Sequence, residues 1–298
     1  MVAELIDGKE IAAAIRDELR HQVEALARDG LVPRLDVVLV GENPASRSYV
    51  AAKRRAAEEI GMLAEIHELS ADGDAVELTE QIRALIEQLN ADISIDGIIL
   101  QLPVPDGVDE DGLLREIDPL KDVDGLHPEN QGRLLQGQAR YYPATPHGVQ
   151  QLLVRSGNDP GHKHVVIVGR STLVGMPLAA MLMQKRAGAN ATVTVCHTGT
   201  GNVGEFTRQA DIVVVAAGRP NTLTADMIRD GAVVIDVGVN RVDDASRKRG
   251  YRLVGDVDFE SVKDKASFIT PVPGGVGPMT VTMLLANVVR SAQQYRRR

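Results

Sequence analysis

The feature that most constrains this chain is a regular alternation of short apolar runs with longer amphipathic ones. In the first half, strand-like runs lie at Arg34–Gly41, Met62–Leu69 and Asp96–Pro103, and helix-like segments lie between them at Pro44–Ile60 and Ala75–Leu89. Strands that are separated by helices in this way pair in parallel through right-handed crossovers. The sequence therefore predicts an α/β fold whose first domain is a parallel sheet layered between helices.

A second series of strands is more continuously apolar and predicts a second domain. It begins at His162–Gly169 and runs on through ATVTVCHT, ADIVVVAAG and GAVVIDVGVN. Strands of this kind are covered by helices on both faces. We therefore predict a Rossmann-type domain over residues 148–279. The first domain would comprise residues 1–147 together with 280–298, whose apolar helix pattern has no sheet of its own and is expected to return to it.

Composition excludes several classes of function. The formal net charge of -8 offers no basic field for nucleic acid. The sequence has no apolar run of the roughly 20 residues that span a membrane, and its opening MVAELIDGKE lacks the pattern of a signal peptide. We expect a cytoplasmic protein without a membrane partner. The single cysteine excludes an internal disulfide, and the seven histidines show no paired ligand spacing beyond His162 and His164, so no metal is predicted.

The stretch HVVIVGRSTLVGMP is a candidate phosphate loop. Its strand ends at Val168, Gly169 and Gly175 lie in the turn, and a helix is predicted to begin near Pro177. Such a turn presents backbone N–H groups to a phosphate at the start of a helix. The five-residue spacing between the glycines departs from G-x-G-x-x-G, so an ordinary strand-to-helix turn is an open alternative.

The residues around this loop favour NADP over NAD. The next strand, TVTVCHT, does not end in the acidic residue that an NAD site places against the ribose hydroxyls. Arg170 and Ser171 instead offer a cation and a hydroxyl that suit a 2'-phosphate. The alternative for Arg170 is a solvated turn residue.

Lys53 is the candidate for proton chemistry. At about 100° per residue, Ser46, Tyr49, Val50, Ala56, Ala57 and Ile60 fall within roughly 60° of it, whereas Arg54 and Arg55 do not. A lysine on an apolar stripe can snorkel to water. Desolvated in a cleft, its pKa would instead fall from about 10.4 toward 7 to 8. Tyr49-x-x-x-Lys53 is also the catalytic spacing of short-chain dehydrogenases. In those enzymes the pair follows the glycine loop, whereas here it precedes Gly169, so the order of the motifs argues against that family.

Two further polar positions and one irregular segment complete the candidates. Gln101 ends the apolar run DGIIL at the ligand-binding edge of a parallel sheet, although it could be a loop residue in water. The acidic KDVDG at Lys121–Gly125 fails as a calcium loop, because Arg133 stands where a glutamate is required. It is either a solvated charge run or a carboxylate that grips an amino-bearing heterocycle. The prolines and glycines of one further segment, ITPVPGGVGPMT at Ile269–Thr280, together fix one irregular backbone path. The segment is either a compact turn that redirects the chain or a part of the functional site.

Taken in order, these motifs resemble the bifunctional methylenetetrahydrofolate dehydrogenase/cyclohydrolase family over nearly the whole chain. The blocks that carry the resemblance are VGENPASRSYVAAKRRAAEEIGM, DGIILQLPVP, PLKDVDGLHPENQGRL, VVIVGRSTLVGMP, ATVTVCHT, VIDVGVN, GDVDF and ITPVPGGVGPMTVTML. The resemblance implies oxidation of 5,10-methylenetetrahydrofolate by NADP and hydrolysis of the methenyl product to 10-formyltetrahydrofolate. It implies no metal, and a homodimer. A dehydrogenase without the hydrolase step, or a module that binds NADP without turnover, remains an alternative.

The resemblance also implies roles for particular residues. Lys53 would be the proton-handling lysine, Gln101 its hydrogen-bonding partner, Tyr49 the ring that stacks on folate and Asp124 the carboxylate that holds the pterin amino edge. The wall of the folate cleft would be Pro271, Val272, Pro273, Gly274 and Gly275. The cofactor contacts would be Gly169, Arg170, Ser171, Thr198 and Val239.

The chain departs from the family's pattern at two positions. Ala144 replaces a common cysteine before the TP of YPATPHG, and Thr198 replaces the serine of CHS. Neither touches the implied proton chemistry, so we expect activity to be retained and any difference to lie in cofactor affinity.

Overall fold

The computed structural model describes residues 2–247 and 250–296. The helices of this part of the chain are α1 (Gly8–Arg28), α2 (Pro44–Glu59), α3 (Ala75–Ala91), α4 (Glu110–Glu116), α5 (Pro128–Leu135), α6 (Ala144–Arg155), α7 (Gly175–Leu182), α8 (Val203–Thr207), α9 (Phe259–Val262) and α10 (Val276–Gln294). The strands are β1 (Glu4–Leu5), β2 (Arg34–Val40), β3 (Leu63–Leu69), β4 (Gly97–Leu100), β5 (His164–Val168), β6 (Thr192–Cys196), β7 (Ile212–Val215), β8 (Val233–Asp236), β9 (Asn240–Asp243), β10 (Tyr251–Val254) and β11 (Phe268–Ile269). Of the helices described, none is long and apolar enough to cross a membrane.

The chain divides into two compact units. Residues 14–144 and 281–298 form the three-stranded unit, and residues 1–13 and 145–280 form the six-stranded unit. This division differs from the predicted one at the N terminus, where residues 1–13 were expected in the first domain. The physical reason is β1, which lies parallel beside β11 as the last strand of the larger sheet.

The three-stranded unit is built on a parallel sheet in the order β3-β2-β4. Strand β2, with the sequence RLDVVLV, is buried at every position after Arg34, as its near-continuous apolar sequence requires. Helix α2 connects β2 to β3, and helix α3 connects β3 to β4. The predicted parallel α/β domain is confirmed.

The six-stranded unit has the strand order β1-β11-β8-β7-β5-β6, with every pairing parallel. Its first two strands after residue 145 are β5 and β6, and β7 then pairs with the opposite side of β5. The direction of winding therefore reverses at the carboxyl end of β5, where doubly wound sheets bind their ligands. The predicted nucleotide-binding architecture is confirmed.

The C-terminal helix α10 returns to the three-stranded unit, as predicted, from residue 281 onward. It begins at Val276, four residues before the start of the predicted pattern. The Asn287 side chain donates hydrogen bonds of 2.8 Å to the carbonyl oxygens of Val123 and Tyr142. One buried amide on α10 thus fixes the backbone of the acidic segment at Val123 and that of the chain before α6 at Tyr142.

Candidate active site

Helix α2 carries Lys53 on its buried face. Asn43 caps the helix by accepting hydrogen bonds from the backbone N–H groups of Ala45 and Ser46, and Pro44 occupies its first turn. The buried residues of the helix are Ser46, Val50, Lys53 and Ala57, and Arg54 and Arg55 are exposed. The helical-wheel prediction that only Lys53 of the three consecutive cations shares the apolar stripe is confirmed.

The amine of Lys53 is desolvated and hydrogen-bonded. The residue is 9% exposed, and its Nζ donates to Oε1 of Gln101 over 3.0 Å. The Gln101 Nε2 donates to the carbonyl oxygen of Leu102 over 2.7 Å, which orients the amide so that its oxygen faces the lysine. Burial lowers the pKa of Lys53, and the nearby carboxylate of Asp124 opposes part of that shift. The snorkelling alternative is excluded, because the amine ends at Gln101 and not in water.

Asp124 lies in a loop that is fixed by its neighbour. Asp122 is buried and accepts hydrogen bonds from the backbone N–H groups of Leu126 and His127 and from the side chain of Asn130. Burial raises the pKa of Asp122 to about 7. Asp124 itself is half-buried, and its carboxylate has no hydrogen-bond partner within residues 2–247 and 250–296. This carboxylate is therefore free to accept hydrogen bonds from a ligand.

Tyr49 lies one helical turn before Lys53 but remains 48% exposed. The wheel placed it inside the apolar stripe, within roughly 60° of Lys53. The structure leaves much of its ring at the surface of the three-stranded unit, because the buried residues Val50 and Ala57 lie on the other side of Lys53. An exposed aromatic ring one turn from a buried amine can stack on a flat heterocycle.

The glycine loop follows β5 at the point where the winding of the sheet reverses. Gly169 has a φ of +131°, and a Cβ there would lie 2.1 Å from the carbonyl oxygen of Ala216. A Cβ on Gly175 would lie 2.1 Å from the carbonyl oxygen of Gly169. Helix α7 begins at Gly175, two residues before the predicted start at Pro177. Both glycines are therefore required by close backbone approach, despite the atypical spacing between them.

Four of the residues predicted to meet the cofactor are exposed along this edge. Arg170, Ser171, Thr198 and Val239 are exposed, and the Ser171 Oγ accepts a hydrogen bond of 3.1 Å from the Val174 N–H. The Arg170 guanidinium makes no hydrogen bond or ion pair in the described part of the chain. A phosphate group would be its first charged partner.

The irregular segment Pro271–Gly275 connects β11 to α10 in the six-stranded unit. Gly274 has a φ of +115°, and a Cβ on Gly275 would lie 2.7 Å from the carbonyl oxygen of Pro271. Pro271 and Val272 are half-buried and Pro273 is exposed. The alternation of proline and glycine thus fixes a tight path that ordinary residues could not follow.

Sequence reasoning missed two buried carboxylates in the six-stranded unit. Asp236 is 3% exposed and Asp256 is fully buried. Their signals were present, since Asp236 ends the apolar run VVID and Asp256 stands in GDVDF. A buried carboxylate requires hydrogen-bond donors or a cation, because burying an unpaired charge is costly. The sequence patterns identified no such partner for either residue.

One cluster within the described residues has the composition of a metal site. Asp36, Glu65 and His67 place one ligand atom each within 4.8 Å of one another on β2 and β3. Arg34, however, donates hydrogen bonds to both Asp36 and Glu65. The guanidinium supplies the positive charge that these carboxylates require, and the prediction that no metal takes part stays a prediction.

Family models match both parts of the chain. Residues 6–124 match the catalytic domain of tetrahydrofolate dehydrogenase/cyclohydrolase, and residues 143–296 match the NAD(P)-binding domain of the same family. Similar proteins are found in sequence and in structure. The bifunctional protein FolD of Salinibacter ruber is 53% identical over 98% of this chain and 96% of that protein.

Two solved structures are similar over almost their full length. The bifunctional FolD enzyme of Campylobacter jejuni is 45% identical, with a TM-score of 0.90 over 98% of this chain and 99% of that one. The methylenetetrahydrofolate dehydrogenase-cyclohydrolase of Trypanosoma brucei, solved with NADP and an inhibitor, is 38% identical, with a TM-score of 0.92 over 100% of both chains.

Proposed function

The chain belongs to the tetrahydrofolate dehydrogenase/cyclohydrolase family, and from that premise we propose that it is a bifunctional one-carbon enzyme. It oxidises 5,10-methylenetetrahydrofolate with NADP to the 5,10-methenyl form and hydrolyses that product to 10-formyltetrahydrofolate. The observation that carries the proposal is the desolvated amine of Lys53, held 3.0 Å from Gln101 and under the influence of Asp124.

The chemistry explains why one amine serves both steps. Hydride leaves the methylene carbon for NADP, and the product carries a cationic, amidine-like carbon that water can attack. A protonated lysine nearby would oppose the charge that develops in the first step, whereas a neutral amine can take a proton from the attacking water in the second. Burial favours the neutral form of Lys53, and Gln101 offers it a neutral carbonyl acceptor in place of a carboxylate.

The remaining substrate contacts are assigned as follows. Asp124 holds the amino edge of the pterin, which suits a half-buried carboxylate with unused acceptor capacity. Tyr49 stacks its exposed ring on the folate. The segment Pro271–Gly275 is assigned to substrate binding on account of its fixed path. These roles are proposals, supported by burial, by exposure and by the match to the family's motifs.

NADP fits the residues at the carboxyl end of β5. Gly169 and Gly175 stand where any side chain would fill the space beside the loop backbone, and Ser171 and Arg170 offer a hydroxyl and an unpaired cation. When bound, NADP supplies the hydride acceptor. We assign the 2'-phosphate to Arg170 and Ser171, and further contacts with the cofactor to Gly169, Thr198 and Val239.

Two broader expectations belong to the same proposal. We propose a homodimer and a cytoplasmic location. The family resemblance supports the first, and the proposed use of NADP, an intracellular dinucleotide, supports the second. Sedimentation velocity at micromolar concentration tests the dimer, and a monomeric species across the whole concentration range would contradict it.

A coupled assay tests the function directly. The purified chain is mixed with 5,10-methylenetetrahydrofolate and NADP, and formation of NADPH and of 10-formyltetrahydrofolate is followed. Both products are expected. NADPH with no hydrolysis beyond the uncatalysed rate would leave a dehydrogenase alone, and binding of NADP without reduction would leave a non-catalytic module.

The pH dependence of hydrolysis follows from the lowered pKa of Lys53. The neutral amine becomes the dominant form as pH rises through that pKa, so the hydrolysis rate at saturating substrate should rise with pH and level off at a lower pH than an ordinary lysine amine would give. Asp124 raises the pKa of Lys53. Asp124→Asn should therefore shift the inflection to lower pH, as measured by the maximal rate of methenyltetrahydrofolate decay, corrected for the uncatalysed reaction at each pH.

The matched control for this shift is Asp118→Asn, since Asp118 stands shortly before the acidic segment Lys121–Gly125 but is not among the groups that influence the pKa of Lys53. Its profile should coincide with that of the unchanged chain. An Asp124→Asn profile with an unmoved or higher inflection would contradict the electrostatic coupling, even if substrate affinity fell.

A further inference from the structure

The carboxylate of Asp256 joins two loops of the six-stranded unit. Its Oδ2 accepts hydrogen bonds from the backbone N–H groups of Ala217, over 2.7 Å, and Gly218, over 2.8 Å. Its Oδ1 accepts from the Asn240 side chain over 2.8 Å. Ala217 and Gly218 follow β7, whereas Asn240 follows β8 and opens β9. One carboxylate therefore ties together the loops that leave two neighbouring strands.

Asp236, at the end of β8, holds Asp256 in turn. Its Oδ1 accepts from the backbone N–H groups of Gly238, over 3.0 Å, and Asp256, over 2.9 Å, and its Oδ2 accepts from that of Val257 over 3.0 Å. The Asp236 N–H donates to the Thr270 Oγ1 over 2.7 Å. The backbone on both sides of the Asp256 peptide is thereby fixed from the end of a buried strand.

The packing around the two carboxylates leaves no room for a side chain. A Cβ on Gly238 would lie 2.2 Å from the Asp256 Cγ, and a Cβ on Gly255 would lie 1.8 Å from the Asp236 Oδ2. Neither carboxylate forms an ion pair with a lysine or arginine in the described part of the chain. Their charges are met by N–H donors alone, and burial raises the pKa of Asp236 to about 6. Burying two carboxylates in this way is costly in free energy. Because their partners are mostly backbone N–H groups, we infer that the two carboxylates serve to fix the backbone and not to pair with a cation.

The loops that it fixes lie at the ligand-binding edge of the sheet. Ala217 and Gly218 follow Ala216, whose carbonyl oxygen approaches Gly169, and Val239 stands between Gly238 and Asn240. The carboxyl ends of parallel strands are where doubly wound folds bind nucleotides. Gly169 and Val239 are both assigned above to the cofactor. Gly169 packs against Ala216, which precedes Ala217, and Val239 precedes Asn240, and both Ala217 and Asn240 donate hydrogen bonds to Asp256.

We propose that Asp256 is a positioning residue for cofactor binding, which sets the loops after β7 and β8 for NADP, and that Asp236 supports it by fixing its backbone. Asp256 acts through these loops and takes no part in the chemistry. The inference rests on the proposed function, in which the six-stranded unit binds NADP and the three-stranded unit carries the proton chemistry. It therefore predicts a loss confined to the cofactor.

The test is Asp256→Asn, assayed for both activities. The substitution exchanges one acceptor oxygen for a donor that cannot face the N–H groups or the Asn240 amide, so the KM for NADP should rise about tenfold, as expected for loss of hydrogen bonds to a charged group. Hydrolysis of methenyltetrahydrofolate without NADP should stay within about twofold. An unchanged KM for NADP, or equal losses in both activities from a folded protein, would overturn the proposal.

A control and a milder variant keep the result interpretable. Asp211 also accepts a backbone N–H, that of His164 over 2.7 Å, but it lies before β7 at the opposite edge of the same sheet. Asp211→Asn should leave the KM for NADP unchanged. If Asp256→Asn does not fold, Asn240→Ala decides. It removes the side-chain amide that donates to the Asp256 Oδ1 over 2.8 Å and to the Gly255 carbonyl oxygen over 3.1 Å. The KM should rise about threefold, and an unchanged value overturns the proposal. If the unchanged chain fails to reduce NADP, the proposed function itself fails.

Discussion

Hydrolysis of 5,10-methenyltetrahydrofolate is expected to fall about a hundredfold to ten-thousandfold in Lys53→Ala, the range typical of losing a positioned proton-transfer group. The truncation removes the desolvated amine and leaves Gln101 without its donor. The rate of methenyl decay, corrected for the uncatalysed rate, measures the effect. Oxidation of the methylene substrate should also change, because the proposed mechanism places the same amine beside the developing cation.

Arg54→Ala is the matched control for this experiment. Arg54 is the next residue of α2, but it is exposed and pairs with Glu58 on the same helix. Its removal should leave both activities within about twofold and cost at most about 0.5 kcal/mol of stability. Full hydrolase activity in folded Lys53→Ala, with helix content unchanged by circular dichroism, would refute the assigned role of the lysine.

The sequence predicted the position of Lys53 because the signal is local. A helix repeats every 3.6 residues, so the stripe of Ser46, Val50, Ala57 and Ile60 already determined which cation would be buried. Periodicity could not identify the partner of the amine, because Gln101 is 48 positions away and arrives through the pairing of β2 with β4. Tyr49 shows the limit of the wheel, since a residue inside the predicted stripe can remain 48% exposed.

The glycine loop was a weak motif for a related reason. Spacing rules describe the commonest way to bring backbone close to a phosphate, and this loop uses another. Gly169 and Gly175 are explained only when the carbonyl oxygens of Ala216 and Gly169 are seen 2.1 Å from their hypothetical Cβ atoms. Such contacts depend on the tertiary structure and leave no pattern in a single sequence.

Sequence reasoning missed one strand and two buried carboxylates. Their partners are distant in the sequence, and the residues around them show no periodicity that predicts the contacts. Strand β1 has two residues and owes its existence to β11, more than 260 positions away. Asp236 and Asp256 find their donors in three different loops. Only the conflict between a charge and an apolar strand end could have drawn attention to them, and that conflict does not name the partners.

The two departures from the family's pattern involve none of the residues assigned to the proton chemistry. Ala144 is buried at the start of α6, and Thr198 is exposed in the turn after β6. Thr198 retains the hydroxyl of the serine it replaces and adds a methyl group. The cofactor edge of the six-stranded unit is therefore the part of the site in which this chain is expected to differ most from its relatives.

Cofactor selectivity at that edge is expected to depend on Arg170. Its guanidinium is exposed and without a charged partner in the described part of the chain, and the Ser171 hydroxyl stands beside it in the sequence. NADP differs from NAD only by a 2'-phosphate, so a cation that contacts this group contributes to the binding of one cofactor and not of the other. An arginine held for general electrostatic attraction would instead favour both dinucleotides, since both carry a pyrophosphate.

Arg170→Ala is therefore expected to raise the dissociation constant of NADP about tenfold to a hundredfold, the equivalent of about 1.5–3 kcal/mol for a charge-assisted hydrogen bond, and that of NAD by less than about twofold. Titration calorimetry with each dinucleotide measures both constants on the same preparation. Arg252→Ala, which removes an exposed arginine from β10 in the same unit, should change neither. An equal loss for NADP and NAD would mean that Arg170 contributes only general charge, and the assignment of the 2'-phosphate to it would be wrong.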